Sequence, residues 1–236
     1  SRENLMVEAG TGVGKSLAYL VPAVQWSSFN DTPVVVSTAT KNLQSQLLSS
    51  DIPHAAKTLG EKAKSFKVAI LKGRGNYLCL RAVSEFFSSG YWTMSQADQE
   101  EMPRFIKWLT TTKTGDLDDL DWADRSVFSR AGEECSGRHC PYYSKCFIYR
   151  ARRNAAAAHL IVANHSLVLA EASSGAGNIL PAYRWLIMDE AHNLESIATE
   201  QFSREVSVRA LRRVLSRLDR NITRGRGNSK SGVLPS

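Results

Sequence analysis

The sequence predicts an α/β fold: a parallel sheet with helices on both faces, interrupted by a mostly helical insertion. Short apolar runs at residues 5–8, 33–37, 68–71, 160–163 and 185–188 alternate with segments of helical apolar spacing, the rhythm of strand–helix–strand units. A glycine-rich loop at residues 9–16 joins the first run to the first helical segment. Between residues 78 and 150 the rhythm breaks, and it then resumes, as it does when a segment is inserted into such a domain.

Residues 5–8, Leu-Met-Val-Glu, read as a short strand feeding the glycine loop. Residues 15–24 continue as a helix that Pro22 kinks or ends, because proline lacks an amide N–H and crowds the preceding turn. Residues 33–37 are β-branched and bounded by turn residues, the pattern of a buried parallel strand. Residues 43–48 read as helix and 68–71 as a third strand, followed by the loop Lys72-Gly73-Arg74-Gly75-Asn76-Tyr77. Residues 80–88 and 96–109 have helical spacing, with Phe86, Phe87, Phe105, Trp108 and Leu109 as candidate core. The acidic stretch carrying Asp116, Asp118, Asp119, Asp121 and Asp124 reads as a solvated linker. Residues 147–158 read as helix, and the strands at 160–163 and 185–188 complete the sheet. Beyond Glu200, Val206, Leu211, Val214, Leu215, Leu218 and Ile222 recur at helical spacing among Arg209, Arg212, Arg213, Arg217 and Arg220. That is an amphipathic basic helix, read as a packing surface in preference to a DNA contact.

Two motifs carry nucleotide chemistry. In Ala9-Gly10-Thr11-Gly12-Val13-Gly14-Lys15-Ser16 the glycines let backbone N–H groups turn toward a phosphate chain, and the following helix adds its N-terminal partial charge. Lys15 supplies a cation for the β- and γ-phosphates of ATP and Ser16 a hydroxyl for Mg²⁺. Gly10, Thr11, Gly12, Val13, Gly14, Lys15 and Ser16 are therefore the expected nucleotide-binding residues. Ala9 stands where the motif usually has glycine, and a residue this small still lets the loop close. Asp189-Glu190-Ala191-His192 follows an apolar strand and so falls at the carboxyl edge of the sheet, where such folds bind ligands. Asp189 is expected to hold Mg²⁺ through its water shell and Glu190 to polarise the attacking water. Lys15, Asp189 and Glu190 are thus the expected catalytic set, with His192 linking the nucleotide state to a second domain.

Four cysteines, Cys79, Cys135, Cys140 and Cys146, suit a closed four-thiolate site. A disulfide needs an oxidising compartment, unlike the reducing one in which ATP-driven motors work. Structural zinc usually shows two short C-x2-C hooks, and this chain has none. An iron–sulfur cluster tolerates one distant and three clustered ligands, and spacing by itself leaves cluster and zinc level. Arg138, His139, Lys145, Arg150, Arg152 and Arg153 lie among Tyr142, Tyr143, Phe147 and Tyr149. That mixture suits a single strand, whose phosphates pair with charge and whose bases stack on rings. It equally suits rings that shield a metal site beside solvated cations.

Four segments together, residues 8–16, 72–79, 163–167 and 189–192, resemble the DinG/YoaA branch of the XPD-like helicases, superfamily 2 motors. The resemblance runs from Glu8 to about Glu200, and the DEAH form of the box leans toward YoaA. It implies a RecA-like P-loop motor domain carrying a [4Fe-4S] cluster on Cys79, Cys135, Cys140 and Cys146. It also implies ATP-dependent 5′-to-3′ unwinding of DNA in replication-associated repair, acting on single-stranded and forked duplex DNA in the bacterial cytoplasm. The implied organisation is 1–78 as the first part of motor domain 1, 79–150 as the cluster insertion, 151–200 as the second part of the motor domain, and 201–236 as the start of an arch-like helical domain. On this reading the chain is a piece lacking motor domain 2, weak or inactive by itself. Thr40 and Gln44, in a segment resembling the family's DNA-contacting motif, are either contacts or caps of the next helix. Asn164 and His165 match a junction motif and take no assigned role.

The bulk properties agree. At 236 residues and 43% apolar, the chain can bury a full core. Its formal charge of +7 favours an anionic partner. No apolar run reaches the length of a spanning helix. Two rival readings are a nucleic-acid-binding redox module with vestigial ATPase motifs, and a nuclease. Intact Lys15, Ser16 and Glu190 count against the first, and the lack of a carboxylate cluster outside the motor motifs counts against the second.

Overall fold

The computed structural model describes residues 3–10, 12–89, 96–122, 125–130, 135–175, 177, 179–203 and 215. The chain divides into two compact units, Ser1–Ala198 and Thr199–Ser236, and the first carries everything below. The basic helix expected beyond Glu200, Thr11 of the glycine loop and Asp124 lie outside the described residues, Leu215 excepted.

Four strands form the sheet: β1 (Val34–Thr38), β2 (Val68–Ile70), β3 (Leu160–Asn164) and β4 (Trp185–Met188). Their order is β2-β3-β1-β4 and every pairing is parallel. The register sets Val36 against Val162 on one side and Ile187 on the other. Strands β1 and β3, covered on both faces, are apolar runs without alternation, as central parallel strands are. The helices are α1 (Lys15–Asn30), α2 (Lys41–Gln46), α3 (Ile52–Ala56), α4 (Leu80–Ser89), α5 (Gln96–Thr111), α6 (Phe147–Ala156), α7 (His165–Ser174) and α8 (Leu194–Phe202).

Alternate strand residues feed two cores. Val34, Val36, Leu160 and Val162 pack with Leu20 and Val24 of α1 and with Leu47, Ile52 and Ala55. Val35, Ile161 and Ala163 face the other way, toward Ile148 and Ala155 of α6, Leu167 and Val168 of α7, and the aromatic residues of segment 79–150. Phe105 and Phe128 stack there with centroids 4.2 Å apart, and Trp122 meets both rings edge-on. The segment expected as an insertion therefore shares the core of one sheet face. No helix among the described residues is long and apolar enough to cross a membrane.

Several expectations need correction. Residues 5–8 form no strand: Leu5 and Met6 are 89% and 96% exposed, and no ladder partner lies beside them among the described residues. A strand exists only through its neighbour's hydrogen bonds, and an apolar run does not supply one. Pro22 does not end α1, which continues to Asn30. Pro22 and Ala18, whose carbonyl it leaves free, are both on the exposed face, where water can take the lost bond. Phe87 stays partly exposed, while Phe105 is fully buried and Phe86, Trp108 and Leu109 pack around it. The acidic stretch is not a solvated linker. Leu117, Leu120 and Trp122 are buried within it, and Asp116 and Asp118 both pair with Lys72.

Candidate functional site

The sheet brings the two nucleotide motifs together. Gly12 and Gly14 have φ of 78° and 81°, a left-handed backbone that glycine adopts without steric cost. Gly14 caps α1, so Lys15 and Ser16 begin its first turn. Asp189 and Glu190 follow β4, and the Asp189 N–H donates to the Ser37 carbonyl at 2.8 Å, extending the ladder to the sheet's carboxyl edge. Glu190 itself sits at φ 57°, a strained position for a side-chain-bearing residue that turns its carboxylate back toward the loop.

Lys15 spans both acids. Its Nζ lies 3.0 Å from Asp189 Oδ1 and also bonds Glu190 Oε1. Hydrogen bonds that Lys15 donates to Glu190 and then to Asp189 raise the lysine above its ordinary pKa, so it is charged. The Glu190 N–H donates to Asp189 Oδ1 at 3.0 Å, and Tyr19 OH donates to Asp189 Oδ2 at 2.9 Å. Burial, then the Asp189 charge, pushes the Tyr19 phenol far up, which keeps its proton. Asp189 is only 6% exposed, so its carboxylate meets these partners largely out of water. Tyr19 was invisible to motif reading, although it stands four residues after Lys15 on the same helix face. His192 is exposed, with Nδ1 3.4 Å from Glu190 Oε2.

The junction residues have definite places. Asn164 caps α7, its side chain accepting from Leu167 N–H at 3.0 Å. His165 is fully buried, with Nδ1 2.7 Å from Ser37 Oγ. Thr40 caps α2 by accepting from Leu43 N–H at 3.3 Å, and Gln44 is buried. Thr40 is thus a helix cap at an exposed position, while Gln44 Nε2 is buried without a hydrogen-bond partner.

The cysteines gather less completely. Cys79, Cys135 and Cys146 line one small cavity with Arg74, Tyr77, Leu78, Arg130 and Ile148, and Cys140 is not among its walls. All four are free thiols, each half-buried. Among the described residues no three Cys, His, Asp or Glu side chains are close enough to hold a single metal ion. The Gly137 N–H approaches Cys135 Sγ at 3.4 Å. Cys146 is the N-cap residue of α6, whose first turn carries the amides of Ile148 and Tyr149. Burial still raises the Cys146 thiol against those amides, with the charges of Cys135 and Cys79 adding to the rise. Arg74 Nη1 and Arg152 Nε are buried without a hydrogen-bond partner. Burial, then the like charge of Arg74, lowers Arg152. Nitrogens left without a hydrogen-bond partner on two half-buried cations, Arg74 on the thiol cavity and Arg152 near it, fit an anionic occupant. Some of the aromatic–cation mixture is used internally: Tyr143 and Tyr149 rings lie 4.5 Å apart, and the Arg150 guanidinium lies 4.7 Å from the Phe147 ring.

Comparison with known proteins agrees with the motor geometry. Residues 44–211 match the DEAD_2 family, and residues 1–74 match the DEAD/DEAH box helicase family. The chain is 36% identical to the ATP-dependent DNA helicase YoaA of Haemophilus influenzae, over 89% of its own length and 33% of the relative's. It is 37% identical to the ATP-dependent helicase DinG of Mycobacterium tuberculosis, over 94% of its length and 36% of the relative's. It is 30% identical to the ATP-dependent DNA helicase DinG of Salmonella choleraesuis, over 88% and 31%. The chain thus spans about a third of the curated relatives it matches.

Proposed function

The chain belongs to the DEAD_2 family, and from that premise we propose that it supplies the nucleotide-hydrolysing part of an ATP-dependent DNA helicase. The observation that carries this reading is the convergence of Lys15, at the start of α1, on Asp189 and Glu190 at the end of β4. Lys15 binds the β- and γ-phosphates, leaving the carboxylates it pairs with in the absence of nucleotide. Backbone N–H groups of residues 10–16 cradle the same phosphates. Ser16 and Asp189 would hold Mg²⁺, which would neutralise charge on the phosphates. Glu190, freed from Lys15, accepts a proton from the attacking water. His192, beside Glu190 and exposed, reports the nucleotide state to a neighbouring domain.

The unwinding reading extends this. Strand separation runs 5′ to 3′ on single-stranded and forked DNA, in replication-associated repair in the bacterial cytoplasm. The parts are 1–78 and 151–200 as motor domain, 79–150 as the cluster-bearing insertion and 201–236 as the start of an arch. Cys79, Cys135, Cys140 and Cys146 would hold a [4Fe-4S] cluster, which would supply an anionic centre to the insertion. Three thiols on one cavity, an amide donor to Cys135, and the free nitrogens Arg74 Nη1 and Arg152 Nε support that assignment.

The test is ATP hydrolysis and unwinding by the full-length protein purified without oxygen. Hydrolysis stimulated by single-stranded DNA, and unwinding of 5′-tailed but not 3′-tailed duplex, are the expected results. Hydrolysis indifferent to DNA would overturn the helicase reading.

A further inference from the structure

The acidic residue after β4 is held from a side the glycine loop does not reach. Asp189 presents Oδ1 to Lys15 at 3.0 Å and to the Glu190 N–H at 3.0 Å. Its other oxygen, Oδ2, accepts the Tyr19 hydroxyl at 2.9 Å. Lys15, Ser16 and Tyr19 fall at positions i, i+1 and i+4 of α1, so the phenol rises from the same helix face one turn beyond the phosphate loop. The phenol thus stands one turn beyond the loop, on the Asp189 oxygen that Lys15 does not touch. The ring is anchored: it packs on the core formed by Leu20, Val36 and Val162.

We propose that Tyr19 is a positioning residue for the magnesium site, fixing Asp189 through Oδ2 so that Oδ1 faces the metal's water shell when Lys15 moves to the phosphates. This rests on the nucleotide-site reading above. Two oxygens of one carboxylate have different duties. The bond to Lys15 is exchanged each time nucleotide binds, whereas the bond to Tyr19 persists through the cycle. Without the phenol the carboxylate would turn about its terminal torsion, which is broad, and would have to be ordered by the metal itself. Partners behind a metal ligand commonly change metal affinity by about 10- to 100-fold.

Tyr19→Phe keeps the ring and removes only the donor. In the full-length protein, binding of a fluorescent ADP analogue is titrated with Mg²⁺ and repeated in EDTA. The expected result is a Mg²⁺ midpoint raised about 10-fold, with unchanged affinity in EDTA. An unchanged Mg²⁺ midpoint would overturn the inference and leave the nucleotide site standing. Equal loss of affinity with and without Mg²⁺ would also overturn it, by assigning Tyr19 to packing alone. Wild-type protein that binds no nucleotide in either condition would overturn the nucleotide-site reading, and the inference with it.

Discussion

Ser37 Oγ and His165 Nδ1 meet at 2.7 Å, 128 residues apart in the chain and both fully buried. The pair ties β1 to the first residue of α7, beside the turn that carries Asp189 and Glu190. Burial lowers the His165 pKa, against the backbone of Asp189 and Glu190, which favours the charged form. The folded pKa thus lies below the unfolded value, so neutral His165 contributes stability that is present above about pH 6.5 and is lost as pH falls through the folded pKa. Urea denaturation from pH 7.5 down to pH 5 should show a steeper loss in wild type than in His165→Gln. Parallel curves would place the acid sensitivity elsewhere.

Glu190→Gln is expected to reduce ATP hydrolysis by about 10²- to 10⁴-fold while nucleotide binding persists. Lys15→Ala is expected to lose binding as well, because the cation contacts the phosphates in both ground and transition states. Equilibrium binding and single-turnover hydrolysis on the same preparations separate the two effects.

Lys72, just beyond β2, pairs with Asp116 and with Asp118 at 2.9 Å, and Asp118 also takes Lys41 at 2.7 Å. Burial opposes charge on Lys72, but the hydrogen bonds to Asp116 and Asp118 outweigh it and raise the lysine. Lys72→Met leaves two carboxylates facing each other without their shared cation, and should cost about 1–3 kcal/mol, between the figures for exposed and buried pairs. Lys41→Ala, at the exposed end of the network, should cost under about 1 kcal/mol. Chemical denaturation of both variants checks the order.

Gly115 has φ of 64°, and a Cβ there would overlap the Phe147 ring. Gly115→Ala combines a left-handed backbone with overpacking, and should destabilise by about 2–5 kcal/mol. Its N–H and carbonyl are already committed, to Thr112 Oγ1 and to Leu78 N–H, so the turn has little room to relax. A melting temperature equal to wild type would contradict this.

Cys146→Ser should strip most iron and visible absorbance from anaerobically purified protein while DNA-independent nucleotide binding remains. Iron and sulfide analysis decides it. Full iron content in the variant would remove Cys146 from the ligand set.

The motor chemistry was legible because its signals are local in the chain. A glycine loop followed by lysine and serine, or two acids after an apolar run, states its chemistry within eight residues, and Val34–Thr38 reads as a buried strand from its own side chains. Other positions read wrongly because their fate depends on a distant partner. Leu5, Met6 and Val7 look like a strand but have no ladder beside them. Asp116 and Asp118 look like solvated charge until Lys72 is brought to them from 44 and 46 residues away.

By itself the sequence determined the parallel α/β plan, the phosphate loop, the acidic box and the four thiols as chemistry. Only the tertiary structure decided that Tyr19 reaches Asp189, that His165 sits against Ser37, that Thr40 caps α2, and that three cysteines share a cavity. The reason is physical: periodicity and loop conformation depend on neighbouring residues, whereas a hydrogen bond between side chains far apart in the chain exists only after the sheet has set their distance.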